Sequence, residues 1–424
     1  MKKFEKEGAF PDNPNWEKLV SRREKIYERD NEIRNPFDRD HNRILHSYAY
    51  RRLKHKTQVF FNAAGNDHIC TRIEHVSHVE SVSGTIARAL GLNEDLTKAI
   101  AMAHDLGHAS FGHEGEIILR KLTGKWLGEG FWHEKNGLYF VEDVELLEDD
   151  ENRLRNLNLT YAVRDGIVAH CGELDNNAIR PRDELFDLDR FETAGQYEAA
   201  TWEGCVVKLS DKIAYLGRDI EDAITAGYLA DAQKEELREM ARARDDKTIN
   251  TTVIMHNMIL DLCANSSPEA GLCLSEPMSK QLNDIKAFNY KYIYGNPRLE
   301  PFRRYADLVL REIFDELHSY YDGPDTLRSM ECKGFGRRRF VREFAEWLAR
   351  YVELSGSENT GAIPDESETK AVPGWALQIA GRCRNRKIYG ALDEESQYIR
   401  ACIDYVAGMT DAYAMECYGQ LLEC

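Results

Sequence analysis

The chain has 424 residues, 42% of them hydrophobic and 30% charged, which is enough apolar material for a packed core and excludes wholesale disorder. Its 56 Lys and Arg stand against 73 Asp and Glu, a net charge of −17 that repels nucleic acid and anionic lipid in general, so any anion must be met by a local cluster of Arg, Lys, His or metal. Eleven prolines lean towards long helices, ten cysteines without a CxxC pair argue against a zinc finger or thioredoxin-type motif, and no apolar run suits a secretory signal or a membrane span, so a cytoplasmic protein is expected.

Residues 1–34 are polar, with Pro11 and Pro14 as breakers, and read as an N-terminal arm carrying one helix over about 16–28. From Asp40, Ile44, Leu45, Tyr48, Ala49 and Leu53 fall at helical spacing. Val59, Phe60 and Phe61 form a short apolar stop before a Gly65-Asn66-Asp67 turn signal. Val76, Val79, Val82, Ile86 and Leu90 then step by three and four, and Gly91 closes that helix. Asn93 is the expected N-cap of the next helix, with Glu94 and Asp95 in its first turn and Leu96, Ala99, Ile100 and Ala103 as its buried stripe. This second helix runs into His104-Asp105-Leu106-Gly107, so polar residues finish an apolar helix. The stretch 171–200 is charged and irregular and reads as a loop, whereas 203–226 carries another strong helical pattern. Beyond 230 the chain reads as amphipathic helices with a polar break at 355–369. The expectation is an all-α fold with few or no strands, divided into an arm (1–34), a core (35–230) and additional C-terminal helices (231–424).

Three histidines, His104, His108 and His113, fall within ten residues, with His75 one helix earlier and His133 one segment later. Divalent metals want imidazole nitrogen and carboxylate oxygen, and an adjacent His104-Asp105 supplies both from one peptide. An isolated pair of this kind is common. It gains weight from His75 near the start of the preceding helix, because antiparallel helices bring such ends together. It gains again from Asp211 inside an otherwise apolar helix, because a buried carboxylate is costly without a cation or hydrogen bonds. The competing reading of Asp211 is a partner for Lys212 or a turn cap. His46, His55, His68, His78, His170, His256 and His318 have no metal spacing and read as structural.

The series His75, His104-Asp105, Asp211 resembles the H…HD…D pattern of HD-domain metal-dependent phosphohydrolases. The surrounding text is similar to the bacterial dGTPase-like deoxynucleoside triphosphate triphosphohydrolases. It runs from Asn35-Pro36-Phe37-Asp38-Arg39-Asp40, through Arg51-Arg52-Leu53-Lys54 and Lys56-Thr57-Gln58, to Thr71-Arg72-Ile73-Glu74-His75. The loop from His104 to Glu116, the block from Asp211 to Ile224 and Ala407-Gly408-Met409-Thr410-Asp411 extend the likeness over roughly residues 35 to 415. One departure is visible: Ala109 and Ser110 stand where the family often has prolines, which is expected to loosen the loop that carries His113.

The resemblance implies an HD-domain helical core and hydrolysis of a dNTP, dGTP among them, to deoxynucleoside and inorganic triphosphate. It implies a divalent metal at His75, His104, Asp105 and Asp211: Mn²⁺ or Mg²⁺ first, with Fe²⁺, Zn²⁺, Co²⁺ or Ni²⁺ also compatible. Arg72, Lys212 and Tyr215 would touch phosphates, Asp219 would orient the site or the sugar, and Arg52, Leu53 and Gln58 fall in the region expected to pack on deoxyribose. His113 and Glu116, at i and i+3, resemble a His–carboxylate pair for proton transfer, His108 would contact the α-phosphate, and His133 resembles a further catalytic histidine. Relatives imply a homo-oligomer, tetramer or hexamer, with an allosteric site for dNTP or single-stranded DNA. Arg337, Arg338, Arg339 and Arg342 are one place for it, against the plainer reading of a solvated helix face. Two other classes stay open on sequence alone: a different HD phosphohydrolase, such as a nucleotidase or guanosine-tetraphosphate hydrolase, and a non-catalytic nucleotide sensor.

Overall fold

A computed structural model describes residues 2–25, 31–60, 69–171, 177–241, 251–354 and 372–423. The structure is helical throughout, and among the described residues the only sheet is a two-stranded antiparallel ribbon, Leu146–Glu148 against Leu154–Asn156, with Leu146 opposite Asn156. The all-α expectation holds. The chain forms two compact units that interleave along the sequence. The first is 1–107, 132–138 and 158–303, and the second is 108–131, 139–157 and 304–424.

The first unit is built on the elements whose periodicity was plain. The Arg72–Leu90 helix buries Val76, Val79, Val82, Ile86 and Leu90, and it stops where Gly91 takes a left-handed φ of 92°, a conformation that costs glycine nothing. Two residues later the Asn93 side chain accepts from the N–H groups of Asp95 and Leu96, opening the Glu94–Ala103 helix. The Trp202–Thr225 helix, expected over 203–226, buries Cys205, Val206, Val207, Ile213, Ala214, Leu216 and Ile220. The Pro36–His46, Tyr161–Ala169, Thr251–Asn265 and Glu276–Asn289 helices complete its framework.

The N-terminal arm departs from its reading. Its helix is one turn, Trp16–Leu19, instead of 16–28. Past it, Arg22 turns away to donate to the Asp40 carboxylate at 2.5 Å and to the Asn158 carbonyl at 2.6 Å, which a continuing helix would not allow. Upstream, Phe4 is fully buried against Trp202, and the Glu203 carboxylate accepts from the backbone N–H of both Ala9 and Asn93 at 2.9 Å. Residues 26–30, the Gly65-Asn66-Asp67 turn signal with His68, and the polar break at 355–369 lie outside the described residues.

In the second unit the Gly112–Trp126 and Glu395–Gly408 helices pack together with Arg339–Leu348 and Asp411–Leu422. Its core is aromatic: Phe344, Tyr351, Tyr389 and Tyr398 are all buried. The Asp404 carboxylate lies among them and accepts from the hydroxyls of Tyr139 at 3.0 Å and Tyr389 at 2.9 Å. Burial pushes the Asp404 carboxyl up to about 6, although Arg400 and both hydroxyls oppose the rise.

Candidate metal centre

Three chain-distant segments of the first unit bring their polar residues together. The Arg72–Leu90 helix contributes His75 from its first turn, the end of Glu94–Ala103 contributes His104 and Asp105, and the middle of Trp202–Thr225 contributes Asp211. His75 Nε2 lies 2.9 Å from Asp211 Oδ1, and His104 Nε2 lies 3.8 Å from the same oxygen. One ligand atom from each of the three residues falls within 4.8 Å of the others. Asp105 stands beside them, with Oδ2 3.8 Å from His75 Nε2 and Oδ1 3.5 Å from His104 Nε2.

The rings are aimed by local chemistry. His104 continues its helix by one residue, and its Nδ1 meets the Ala101 carbonyl at 2.6 Å. A carbonyl only accepts, so Nδ1 carries the proton and Nε2 presents its lone pair to the carboxylates. That Nε2 is buried without a hydrogen-bond partner, as is Nδ1 of His75. A buried imidazole lone pair facing two carboxylates has no donor to satisfy it, and a divalent cation would do so. The residues therefore fit a metal of the nitrogen and oxygen class. Electrostatics agree: burial disfavours the charged His75 ring, but the hydrogen bond and charge of Asp211 outweigh it and hold its pKa above the ordinary value. Burial likewise disfavours ionised Asp211, yet the His75 hydrogen bond keeps its carboxyl below the usual range.

The residues expected to meet phosphate fall around this cluster. Arg72 is buried and donates from Nη1 to Asp105 Oδ2 at 2.8 Å, while its Nε and Nη2 have no hydrogen-bond partner. Buried guanidinium hydrogens without acceptors call for an anion. Along the Trp202–Thr225 helix most side chains from 205 to 220 are buried, but Asp211 and Tyr215 are only half-buried and share a face. Lys212 is buried. Asp219 is buried one further turn on and accepts from the Tyr294 hydroxyl at 2.5 Å, and burial pushes its carboxyl up to about 7. The segment holding Arg52, Leu53 and Gln58 is tied to the start of the Arg72–Leu90 helix, where Arg72 N–H donates to the Lys56 carbonyl and Thr57 pairs with Thr71. Leu53 is fully buried, Arg52 is half-buried, and the buried Gln58 amide oxygen has no hydrogen-bond partner.

His170 is the residue that sequence spacing passed over. It follows the Tyr161–Ala169 helix as His104 follows Glu94–Ala103, and its Nδ1 meets the carbonyl three residues back, Ile167, at 2.6 Å. Its ring lies edge-on to His104 at 5.0 Å and tilted to His133 at 5.4 Å. Asp105, His133 and His170 form a second group with ligand atoms within 4.8 Å of one another. Burial drives the His170 pKa down to about 3, so the ring is neutral. The one signal in the sequence was positional, a histidine directly after an apolar helix, as at His104.

The second unit holds its own cluster: His108, His113 and Glu116 have ligand atoms within 4.8 Å, with His113 exposed and Glu116 buried. Glu116 accepts from Arg120 at 2.7 Å, and the His108 and His113 rings are 5.4 Å apart. Ala109 and Ser110, in place of the family's prolines, are fully buried, and Phe111 N–H donates to Asp411 at 2.8 Å. The arginine run is met by acids: Arg338 pairs with Glu316, Arg339 with Glu343 and Glu416, and Arg342 with Glu346. At the end of the Glu276–Asn289 helix and just past it, Phe288 lies in the core, Tyr292 and Tyr294 are half-buried against it, and Tyr290 is exposed.

A helical core in which His, His-Asp and Asp from three segments converge is the HD arrangement, and the HD domain profile matches residues 72–216. A phosphohydrolase-associated domain matches residues 385–420. The deoxyguanosinetriphosphate triphosphohydrolase-like protein of Caldanaerobacter subterraneus subsp. tengcongensis is 32% identical over 391 residues, 92% of this chain and 86% of its own. Proteins of the same name are 38% identical in Desulfatibacillum aliphaticivorans, over 67% of this chain and 73% of that one, and 30% identical in Geobacter metallireducens, over 95% and 92%. The chain belongs to the deoxyguanosinetriphosphate triphosphohydrolase-like family of HD-domain proteins. It is a hydrolase of the HD phosphohydrolase type, in a domain class that binds divalent metals. Among the described residues, no helix is long and apolar enough to cross a membrane.

Proposed function

We propose that this protein hydrolyses deoxynucleoside triphosphates, dGTP among them, to deoxynucleoside and inorganic triphosphate, with Mn²⁺ or Mg²⁺ held by His75, His104, Asp105 and Asp211. The observation that carries this reading is the meeting of His75 and His104 on Asp211 beside the buried, partly unsatisfied guanidinium of Arg72. A bound divalent ion would supply charge that polarises the phosphate and a water molecule. The chain's own residues do the rest. Arg72 offers two free donor groups to phosphate oxygens, and Lys212 adds a cation next to Asp211. Tyr215 shares the open face of its helix with Asp211. Asp219, neutral or ionised near pH 7, accepts a hydrogen bond from Tyr294 and holds the hydroxyl where a sugar can be oriented. Gln58 brings an unsatisfied amide oxygen for a sugar hydroxyl, and Leu53 and Arg52 lie in the same segment. His113 and Glu116 are assigned to proton transfer, and His108 to the α-phosphate. Assembly into tetramers or hexamers, and activation by a dNTP or single-stranded DNA, remain part of the proposal.

The test is product analysis. Purified protein with Mn²⁺ or Mg²⁺ is given each of the four dNTPs and GTP, singly and in mixtures, and the products are separated by ion-exchange chromatography. Tripolyphosphate and a deoxynucleoside are expected, with GTP turned over at least about 10-fold less well. Release of pyrophosphate or orthophosphate would overturn the reading. Mixtures are required because an activating nucleotide would escape single-substrate assays.

A further inference from the structure

The loop between His108 and His113 has a backbone that its own residues do not favour. Phe111 stands at φ 61° and ψ 21°, the left-handed region that a bulky side chain rarely adopts, and Gly112 follows it at φ 61°. Phe111 also precedes the Gly112–Trp126 helix, and its side chain accepts no hydrogen bond, so that helix has no side-chain cap of its own. Ahead of it, Ala109 and Ser110 stand in place of prolines that would fix φ. What holds the turn comes from 300 positions further along the chain. The Asp411 carboxylate accepts from the Phe111 N–H at 2.8 Å, and the two residues are 6% and 1% exposed. Asp411 is not needed to cap the Asp411–Leu422 helix that it opens, because the Thr410 hydroxyl already accepts from the Tyr413 N–H at 3.2 Å. A carboxylate at the start of Gly112–Trp126 also suits the positive end of that helix dipole.

We propose that Asp411 is a positioning residue for proton transfer: by holding Phe111 left-handed it sets the relative places of His108, His113 and Glu116. The turn has no slack to absorb a change. A Cβ on Gly115 would stand 1.9 Å from the Ser110 carbonyl oxygen, so the first turn of the helix lies directly against the loop, and a shift at Phe111 is passed to both sides. On one side is His108, on the other His113 and Glu116, and their ligand atoms lie within 4.8 Å of one another. Relaxation of Phe111 to an ordinary φ would swing His113 away from His108, whose ring it now meets edge-on at 5.4 Å. The inference rests on the assignment of His113 and Glu116 to proton transfer, and it gives the Met409-Thr410-Asp411 element a task that its own helix does not require.

Three variants of the full-length protein separate the place of the acceptor from its charge. Asp411→Asn keeps an oxygen in position and gives up the charge, Asp411→Glu keeps the charge and moves the oxygen by one methylene, and Asp411→Ala removes both. With dGTP and Mn²⁺, Asp411→Ala should lower kcat by about 100-fold and Asp411→Glu by about 10-fold or more, both with KM within about 3-fold of wild type. Asp411→Asn should stay within about 5-fold in kcat, since a neutral acceptor replaces a charged one. A second arm needs no substrate: in NMR of metal-free protein carrying ¹³C-labelled histidine, the ring resonances of His108 and His113 should move in Asp411→Glu and hold in Asp411→Asn. Wild-type kcat in Asp411→Glu, or an Asp411→Asn as poor as Asp411→Ala, would overturn the proposal. If Asp411→Ala fails to fold by circular dichroism, the Asn and Glu variants decide between them. If wild type hydrolyses no dNTP, the proposed function fails on its own, and unmoved His108 and His113 resonances in Asp411→Glu would overturn the positioning role separately.

Discussion

Gly107 closes the His104-Asp105 loop, and a single added methyl there tests how the loop is held. A Cβ on Gly107 would stand 2.1 Å from the Gly137 nitrogen and 2.1 Å from the His133 carbonyl oxygen, both backbone atoms with no flexible end to move aside. Ordinary contact needs roughly 3.4 Å, so the 133–137 segment must retreat by more than about 1 Å. That retreat breaks the 2.7 Å bond from the Asn136 amide to the Gly107 carbonyl and carries His133 away from Asp105. Overpacking costs about 1–3 kcal/mol and the lost bond about 1 kcal/mol more, so Gly107→Ala should lose about 2–4 kcal/mol in urea unfolding. A displacement of this size should also lower kcat/KM by about 100-fold. Gly124, in the Gly112–Trp126 helix, is the control: its nearest heavy atom to an added Cβ is the Glu129 carbonyl oxygen at 3.9 Å, so Gly124→Ala should stabilise by about 0.5–1 kcal/mol. If Gly107→Ala unfolds within about 0.5 kcal/mol of wild type, the steric reasoning fails.

Four further outcomes follow from the same structure. Asp404 has a folded pKa of about 6 against an ordinary 3.8, so the folded state binds more protons between those values, and its contribution is full below about pH 4 and is lost as pH rises through 6. Asp404→Asn should therefore remove about 3 kcal/mol of the decline in stability between pH 4 and 7, and parallel urea-unfolding series for the two proteins would contradict this. Arg72→Met should cut kcat/KM for the phosphate substrate by about 10²–10³-fold in steady-state kinetics, and an unchanged value would remove Arg72 from the anion site. Asn93→Ala loses the cap of the Glu94–Ala103 helix and the 2.6 Å bond to the Ala9 carbonyl, for about 1–3 kcal/mol in thermal unfolding, and a neutral result would mean that water replaces both. Stripping metal with a chelator should abolish hydrolysis and lower stability by about 2.7 kcal/mol relative to protein with Mn²⁺ at 100 times its Kd, whereas full activity in excess chelator would refute metal dependence.

The amino-acid order was a good guide wherever the governing interactions span four residues or fewer. The steps from Val76 to Leu90, the glycine that follows, and Asn93 with its acidic first turn are all decided by helical period and capping, and the structure places those helices and caps as read. The same local logic predicted too much at residues 16–28, because the helix there yields to the long-range ties of Arg22 to Asp40 and Asn158. The meeting of His75, His104 and Asp211 was suggested by neighbouring helix ends and by a carboxylate in an apolar helix, and the pattern held in common with HD proteins joined the three, since no local rule brings residues 136 positions apart within 2.9 Å.

Chain order is enough to set the helices, their ends, and the polar residues placed at those ends. Tertiary structure alone decided which of these residues face one another: that Arg72 is spent on Asp105, that Glu203 ties down the N-terminal segment, and that His170 joins His133 and Asp105. The reason is physical. A cap or an apolar stripe is fixed by neighbours along the chain, whereas the direction of a buried imidazole or carboxylate is fixed by whatever the packed helices leave it to bond.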